Sequence, residues 1–571
     1  MHLLPGIIAE RVEKAIKSAQ AAGDLNTFEI PSITITAPKH ISHGDRATAI
    51  ALQLAKVAGQ KPLDIAQIIH NHLDTSLPLS TAEVAAPGFI NFRLDENWLR
   101  QSVEDIIQEG EALFQLDLGR GKRAQVEFVS ANPSGPLAVH RSRGAIVGDA
   151  TARVLEAAGY EVHREYYFNN AGQQMVMLGN SLKIRYLEAL GQDVQIPAED
   201  DTHFYQGDYL IEFAQDLVRE QGDQWLDKDW EPFKEYAEKR MFQLIRDSLA
   251  GVNIKHDDFF NENSLFETNA VWDTLKALEA KGVIYRASEW EGATDEEKEK
   301  AANKAPATWF RSTAFGDDKD RVVVKADGIP TYTLPDIAYH INKLDRGFDL
   351  LVNVLGADHG TQYKVVQWGV EALGYDPSII NVIIVQMVRA VRNGVEFKMS
   401  TRRGVFDTLD DLIAQTSADA VRYYLLARSP NSQLDFDLDS VIKQSSENPV
   451  YYNQNAYVRC VSIAREAAAR GLTDANADLS LLGEEELSLI RKIFELGEII
   501  ELAANNLEAH RIAFYAQELA NLFHPIYDQV RALHTEVPEA TAIARLRFYK
   551  AAEVTFKRLL DLMGMSAPER M

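Results

Sequence analysis

The stretch ANPSGPLAVHRSRGAIVGD, residues 131–149, joins two segments of different periodicity. The preceding AQVEFVS carries the β-branched and aromatic residues of a buried strand, whereas Ser142 to Ala158 has helical spacing and ends at Gly159. Proline and glycine residues between them end the strand. A helix N-terminus attracts anions, and basic side chains follow at once. The stretch therefore fits either a plain polar connection or a loop that holds phosphates.

Working outward, strand-like runs alternate with helical stretches between about residue 123 and residue 400. The runs AQVEFVSA, DRVVVKA, LLVNVLGA and NVIIVQMV are spaced as in a mostly parallel sheet covered by helices. Within this region the charge-rich EWEGATDEEKEKAANKA, residues 289–305, predicts a solvated loop or a short hairpin-like insertion. The region is the expected catalytic core of an α/β protein.

The flanking regions differ from this core. Residues 1–112 mix helical and extended signals, as in HGDRAT and APGFINFRL, and predict an α+β domain. After about residue 410 the strand signals cease and helical periods dominate, which predicts an all-α bundle. The predicted domains are therefore 1–112, 113–440 and 441–571.

Composition excludes several classes of function. The chain has 571 residues and a formal net charge of −25, so a nucleic-acid partner needs a locally basic surface. The single cysteine, Cys460, excludes an intrachain disulfide and a cysteine-rich zinc site, and fits the cytoplasm. No window approaches the ~20 apolar residues needed to span a bilayer. We expect a monomer without zinc or a membrane segment.

A second basic loop lies in VRNGVEFKMSTRRGVFDTLDDLI, where Lys398, Arg402 and Arg403 follow a buried strand. Taken alone, this loop fits a solvated turn. Two positive loops can instead hold a triphosphate between them, because phosphate chemistry depends on positioning and charge neutralisation.

Several ordered motifs together resemble the bacterial kind of arginyl-tRNA synthetase. They are ANPSGPL before a helix, RSTAFGDDKDRVVVKADGIPTYTLPDIAYH, and KMSTR followed by TLDDLI. HGDRAT and APGFINFRL resemble that family's N-terminal domain, and ENPVYYNQNAYVR and LLDLMGMSAPERM its anticodon-binding bundle. The resemblance implies a class I Rossmann-like catalytic domain. It also implies ATP-dependent activation of L-arginine to arginyl-adenylate and transfer to the 2′-hydroxyl of the terminal adenosine of tRNA(Arg).

The implied substrate calls for acids, because a guanidinium is planar, always charged and best held by carboxylates. The resemblance places the arginine site at Glu127, Asn132, Tyr332 and Asp336. Tyr332 and Asp336, four residues apart on a helical turn, are expected to share one face. Taken alone, Asp336 also fits an acid at a helix N-terminus.

The resemblance places further residues beside ATP: Ser130, Pro136, Gly356, Asp358, His359, Lys398, Met399 and Ser400. GADHG, residues 356–360, follows an apolar strand, where ligands bind in open α/β sheets, although a lone histidine is more often structural. HDDFF, residues 256–260, is poor evidence for a metal site, because adjacent acids alone rarely bind an ion. We expect Mg²⁺ to arrive with ATP.

The chain departs from the family at its first signature. Where the family shows H-x-G-H followed one residue later by Arg, residues 138–143 read AVHRSR, and Thr401 replaces the middle lysine of K-M-S-K-R. We expect His140 and Arg141 to supply the phosphate donors together with Lys398 and Arg402, since the task demands donors rather than imidazole itself. The alternative is a synthetase-derived tRNA- or nucleotide-binding protein with impaired aminoacylation.

The resemblance places tRNA contacts in the C-terminal bundle. Aromatic and basic side chains suit unstacked bases and phosphates, although aromatics at helical spacing are usually core residues. The predicted contacts are Tyr457, Arg459, Tyr527 and Met571.

Overall fold

The computed structural model describes residues 3–38, 40–198, 201, 203–301, 304–357, 360, 362–392, 395–396, 408–443, 445 and 447–571. The chain divides into two compact units. One comprises Met1–Leu118, Ala157–Gly159 and Lys443–Met571, and the other Gly119–Glu156 and Tyr160–Ile442. The domain boundaries at 112 and 440 stay a prediction.

The N-terminal segment of the first unit has an antiparallel sheet in the order β1-β3-β2. Ile8, Val12 and Ile16 are completely buried, as their helical spacing requires. Its elements are α1 (Leu4–Ala22), β1 (Arg46–Thr48), α2 (Ile50–Ala58), α3 (Pro62–Asn71), β2 (Leu79–Ala85), β3 (Phe89–Leu94) and α4 (Glu96–Glu109).

The second unit follows, with helices between most of its strands. Its elements up to the second basic loop are β4 (Arg123–Glu127), α5 (Val139–Ala157), β5 (Glu161–Phe168), α6 (Gln173–Ala189), α7 (Asp208–Gln221), α8 (Trp230–Gly251), β6 (Asp258–Asn261), α9 (Asn263–Glu267), α10 (Ala270–Ala280), β7 (Ile284–Ala287), α11 (Asp295–Ala301), β8 (Ala307–Phe310), β9 (Arg321–Val324), α12 (Thr333–Asp345), β10 (Leu350–Gly356), α13 (Gln362–Ala372), β11 (Ile380–Val385), β12 (Val388–Arg392) and β13 (Val395–Glu396). After the loop come α14 (Leu409–Gln415), α15 (Ala418–Leu426), β14 (Leu434–Asp437) and α16 (Leu438–Val441).

The centre of this unit is a parallel sheet in the order β11-β10-β4-β5-β6. From β4 the chain proceeds to β5 on one side, and β10 lies on the other side, so the strand order reverses at β4. Ligands bind in the crevice outside the carboxyl ends of strands at such a point. Gly148 of α5 lies against β4, because a Cβ there would be 2.3 Å from Cγ of Phe128. The predicted α/β fold class is confirmed.

Three local expectations were wrong. DRVVVKA forms β9, which pairs antiparallel with β8 in a separate sheet, because an apolar run does not specify its partner strand. Residues 289–305 contain helix α11, which begins at a capping box: the Thr294 N–H donates to Glu297 Oε2 at 2.7 Å, and the Glu297 N–H donates to Thr294 Oγ1 at 3.3 Å. The strands also do not cease at residue 410, since β14 pairs with β12.

The C-terminal segment of the first unit is helical, as predicted, with α17 (Pro449–Ala469), α18 (Glu484–Asn506), α19 (His510–Gln529) and α20 (Glu539–Met563). Helices α18 and α20 pack against α4 of the same unit, where the Trp98 and Phe494 rings lie 4.9 Å apart. Arg46 Nη2 also contacts Glu498 Oε1 at 2.6 Å. Among the described residues, no helix has the length and apolar character to cross a membrane.

Candidate active site

The chain leaves β4 through a strained turn. Val129 has φ 72° and Ser130 has φ 40°, both in the left-handed region, where a β-branched residue is an outlier that costs about 1–3 kcal/mol. The turn directs the Ser130 hydroxyl back to Glu127, to which it donates a hydrogen bond of 2.9 Å. The Tyr167 N–H donates to the same hydroxyl oxygen at 3.2 Å. The strained turn thus lies at the switch point of the sheet, where a ligand crevice is expected.

A cavity of about 540 Å³ opens at this point. Its described lining comes from the carboxyl ends of β4, β5 and β10, from the region between β5 and α6, and from α12. All four predicted arginine-binding residues line it. The lining is Glu127, Ser130, Asn132, Tyr167, Asn169, Ala171, Gly172, Gln173, Gln174, Glu262, Tyr332, Asp336, Tyr339, His340, Asn353, Leu355, Tyr363, Val366 and Ile380.

The floor of this cavity contains a buried ion pair. Glu127 is 7% exposed, and its Oε2 accepts a 2.6 Å hydrogen bond from Nζ of Lys343, which is fully buried. Lys343 Nζ also donates to Asn353 Oδ1 at 2.8 Å. The Glu127 carboxylate therefore has a cationic partner within the protein.

A second acid in the cavity has a different environment. Glu262 accepts hydrogen bonds from the Tyr167 hydroxyl at 2.7 Å and from Asn169 Nδ2 at 2.9 Å. Among the residues that the structure describes, no lysine or arginine contacts its carboxylate. Burial raises the pKa of Glu262, and the two hydrogen bonds oppose that rise. Glu262 thus presents a carboxyl group to the cavity with uncharged partners.

Helix α12 forms another wall. Tyr332 is its N-cap and is 80% exposed, and Asp336 lies in its first turn. Both residues line the cavity. His340, one turn further, donates from Nδ1 to the Asp336 carbonyl oxygen at 2.7 Å. Burial, reinforced by the Lys343 ammonium, lowers the pKa of His340 to about 3, so its imidazole is neutral.

The first signature loop lines a second cavity of about 850 Å³, which includes Pro136 and Arg141. It shares Asn132 and Gln174 with the first cavity, and Asn132 Nδ2 donates to Gln174 Oε1 at 2.9 Å. The Arg141 side chain is exposed, and its Nη1 lies 3.4 Å from the Val129 carbonyl oxygen. The second cavity is therefore lined by a cationic side chain, and it adjoins the first cavity, which is lined by acids.

The first signature segment contacts Thr408 and Leu409, which follow the KMS motif in the sequence. Ala138 forms an antiparallel bridge with Thr408, and the Leu409 N–H donates to the Leu137 carbonyl oxygen at 2.8 Å. The KMS motif precedes Thr408 in the sequence. Its predicted residues, Lys398, Met399, Ser400 and Arg402, lie outside the described residues, as do Asp358 and His359. Gly356, also predicted beside ATP, ends β10 and is exposed.

Arg143 anchors the helix that follows the first signature. Its side chain is fully buried and donates to the carbonyl oxygens of Gln386 at 3.1 Å, Ser432 at 2.6 Å and Ser429 at 2.8 Å. Burial lowers the pKa of this guanidinium to about 10, which leaves it charged at neutral pH. Arg143 thus ties α5 to the segments beside β12 and β14, whereas Arg141, two positions earlier, lines the second cavity.

Comparison with known proteins decides the family. Residues 6–94 match the model "Arginyl tRNA synthetase N terminal domain", residues 102–431 match "tRNA synthetases class I (R), catalytic domain", and residues 453–571 match "DALR anticodon binding domain". The arginine–tRNA ligase of Desulfitobacterium hafniense is 41% identical over 574 residues, which cover 99% of this chain and 98% of that protein. This chain belongs to the arginyl-tRNA synthetase family. The arginine–tRNA ligase of Geobacter sp. strain M21 is 42% identical over 569 residues, with 98% of each chain covered.

Solved structures of arginyl-tRNA synthetases share the fold. The enzyme of Thermus thermophilus is similar with a TM-score of 0.74 over 100% of both chains at 19% identity. The enzyme of Plasmodium falciparum is similar with a TM-score of 0.71, also over 100% of both chains, at 16% identity. At such identities the likeness concerns the fold alone.

The predicted tRNA contacts of the synthetase lie on its helical bundle. Tyr457 is 7% exposed, so its ring offers little surface to a base, whereas Met571 is 54% exposed. The Arg459 guanidinium lies 4.8 Å from the centroid of the half-buried Tyr527 ring and also contacts Asp528 at 3.2 Å. Arg459 lines a cavity of about 500 Å³ with Tyr451, Tyr452, Asn455, His524, Pro525, Asp528 and Gln529.

Sequence reasoning missed two charged residues at the first cavity: Glu262, which lines it, and Lys343, which lies beneath it. Glu262 lies in FFNENSL with no pattern around it, and contact between β5 and β6 brings it beside Tyr167. Lys343 occupies a helical position seven residues after Asp336, two turns along the same face. That spacing was the available signal, since a lysine on the buried face of a helix requires an acidic partner.

Proposed function

We propose that this chain is an arginine–tRNA ligase whose amino-acid site is the cavity of about 540 Å³ at the carboxyl ends of β4 and β10. The observation that carries the proposal is its acidic lining by Asp336, Glu262 and Glu127. Among the described lining residues there is no lysine or arginine, so the cavity suits a cationic ligand. Arginine carries two cationic groups, the guanidinium and the α-ammonium.

The arginine side chain is assigned to the wall formed by Asp336, Tyr332 and Glu262. Carboxylates bind a guanidinium through short charge-assisted hydrogen bonds, and a phenol adds an acceptor or a donor. Asn132 stands where the arginine cavity meets the second one. Its amide is therefore assigned to the α-amino or carboxylate end of the substrate, beside the reacting atoms.

ATP is assigned to the second cavity, between the two signature segments. A carboxylate oxygen of arginine attacks the α-phosphorus, an oxygen–phosphorus bond forms, and the bond to the β-phosphate breaks as pyrophosphate leaves with the electron pair. Arg141 and His140 stabilise the charge that develops on the phosphates, together with Lys398 and Arg402. The remaining proposed ATP contacts are Ser130, Pro136, Gly356, Asp358, His359, Met399 and Ser400.

Transfer to tRNA completes the reaction. The terminal 2′-hydroxyl attacks the carbonyl carbon of the adenylate, loses its proton, and AMP departs. Mg²⁺ is proposed to enter with the ATP phosphates and to neutralise part of their charge. Among the described residues, the one cluster with metal-ligand spacing is His163, Glu165 and Asp258, and Arg346 already holds Glu165 through two hydrogen bonds. The proposal therefore includes no metal site on the protein and no zinc.

The ligase is favoured over a synthetase-derived binding protein, because arginine–tRNA ligases align with 98% and 99% of the chain. We further propose a cytoplasmic monomer, since a chain of 571 residues with a single cysteine, Cys460, fits a reducing compartment.

The direct test is aminoacylation. With L-arginine, ATP, Mg²⁺ and tRNA(Arg), the purified chain should form arginyl-tRNA, whereas lysine in place of arginine should give product at less than about 1% of that rate, because an ammonium lacks the planar fork of a guanidinium. Arginine-independent ATP consumption or the absence of arginyl-tRNA would contradict the proposal.

The tRNA site is proposed on the bundle at Arg459, Tyr527 and Met571, with Tyr457 in a supporting position behind the surface. We expect Arg459→Gln to raise the KM for tRNA about 10-fold, since one cationic or stacking contact to RNA contributes about 1–3 kcal/mol. The KM values for ATP and arginine should stay within about 2-fold. Arg465→Gln, on the exposed face of the same helix α17, is the matched control and should leave all three KM values unchanged. A parental tRNA KM for Arg459→Gln would remove this residue from the site.

A further inference from the structure

The buried Glu127–Lys343 pair gives the arginine cavity an uneven charge distribution. Glu127, Glu262 and Asp336 all line the cavity, whereas Lys343 lies beneath it with no exposed surface. Lys343 Nζ is 2.6 Å from Glu127 Oε2, and the Ser130 hydroxyl donates to the other carboxylate oxygen at 2.9 Å. The charge of Glu127 is therefore compensated before any substrate enters.

A substrate guanidinium gains little from such a carboxylate. To bind Glu127 closely it would approach the Lys343 ammonium, and like charges repel strongly where water is excluded. It would also compete with an ion pair whose rupture leaves an uncompensated buried charge. The geometry thus marks Glu127 as an acid that already has a cationic partner.

Lys343 also sets the direction of a hydrogen-bond chain. An ammonium only donates, so the Asn353 oxygen must face Lys343 and its Nδ2 must donate to His340 Nε2, at 2.8 Å. His340 Nε2 is then an acceptor, and its Nδ1 donates to the Asp336 carbonyl oxygen at 2.7 Å. The chain runs from the end of β4, through β10, to the first turn of α12.

We propose that Lys343 is a positioning residue of the arginine site that acts through Glu127: its ammonium cancels the charge of Glu127 and so keeps that carboxylate from binding the substrate guanidinium. The inference rests on the proposed function, since it concerns the same cavity. Glu127 is then part of the floor and not a direct partner of the guanidinium.

Charge cancellation and direct contact predict opposite results for a double variant. Glu127→Gln leaves the Lys343 ammonium uncompensated under the cavity and should raise the KM for arginine about 30-fold or more, with the KM for ATP within about 3-fold. Lys343→Met combined with Glu127→Gln makes the floor neutral and should lower the arginine KM at least about 10-fold from the Glu127→Gln value. Both are measured by ATP–pyrophosphate exchange with tRNA present.

Asp149→Asn is the matched control. Asp149 is buried and paired with Arg422 and Arg153 but does not line the cavity, so this variant should lower the thermal midpoint and leave the arginine KM within about 3-fold. A double variant that is as poor as Glu127→Gln would overturn the inference in favour of direct contact. A parental arginine KM for Glu127→Gln would also overturn it.

Folding is followed by circular dichroism for each variant. If Glu127→Gln does not fold, the neutral double variant decides: we expect it to fold with an arginine KM within about 10-fold of the parent, and loss of folding or a rise above about 100-fold would overturn the inference. Failure of the proposed function is distinct, because the unmodified chain would then show no arginine-dependent exchange.

Discussion

Replacing Asp336 with Asn is expected to raise the KM for arginine about 100-fold or more. Asp336 lies half-buried in the first turn of α12 and lines the cavity proposed for arginine, so the substitution removes a carboxylate from the proposed site of the substrate cation. Breaking one half of a buried ion pair costs about 3–5 kcal/mol, and each ~1.4 kcal/mol is a factor of ten. The measurement is the arginine dependence of ATP–pyrophosphate exchange with tRNA present.

The matched control for this change is Asp345→Asn. Asp345 is exposed at the other end of the same helix, where it accepts a hydrogen bond of 2.9 Å from the Tyr375 hydroxyl. The control should retain the parental arginine KM, and both variants should retain the KM for ATP within about 3-fold. An unchanged arginine dependence for Asp336→Asn would show that the guanidinium binds elsewhere.

Replacing Arg141 with Ala is expected to lower the rate of arginyl-adenylate formation about 100-fold or more. Arg141 occupies the second histidine position of the altered signature, and its exposed side chain lines the cavity assigned to ATP. Removal of one donor that stabilises charge in the transition state typically costs a factor of about 10²–10³. The expected loss is in kcat, with the KM for arginine nearly unchanged, because the arginine cavity does not include this side chain.

Single-turnover formation of arginyl-adenylate with tRNA measures this effect directly. Arg286→Ala is the control, since Arg286 is exposed on β7 and lines neither cavity. Arg141→Lys keeps a mobile donor and should recover part of the rate. Should Arg141→Ala form the adenylate as fast as the unmodified chain, Arg141 has not replaced the histidine. If the unmodified chain forms none, the alternative of a binding protein without aminoacylation gains support.

The local sequence predicts some features of the loop between β4 and α5 but not others. Proline and glycine residues after an apolar run predict strand, loop and helix, and the structure has β4 and α5 there, although α5 begins at Val139 and not at Ser142. The same pattern does not reveal that Val129 and Ser130 adopt left-handed backbone conformations. Such strain costs free energy locally and is maintained by the surrounding contacts, here those of Ser130 with Glu127 and Tyr167.

In the arginine cavity, the positions of some charged residues follow from local spacing, whereas others depend on tertiary contacts. The spacing of Tyr332 and Asp336 predicts that they share one face, because residues four apart are neighbours on the surface of any helix. This prediction requires no knowledge of distant contacts. Glu262 reaches the cavity through the pairing of β5 with β6, and no period in the sequence connects it with Tyr167. Lys343 follows Asp336 by two helical turns, but only tertiary packing brings it to its partner Glu127.

The amino-acid sequence by itself determined the α/β class, the helical C-terminal bundle, the family resemblance and the two basic signature segments, because periodicity and short motifs are local properties of the chain. Tertiary structure alone decided that β9 pairs in a separate antiparallel sheet and that Glu127 is paired with Lys343. It also decided that Arg143 is buried, whereas Arg141 lines the second cavity. These outcomes depend on which distant groups share a low-dielectric interior, where a charge must have a partner within a few ångströms.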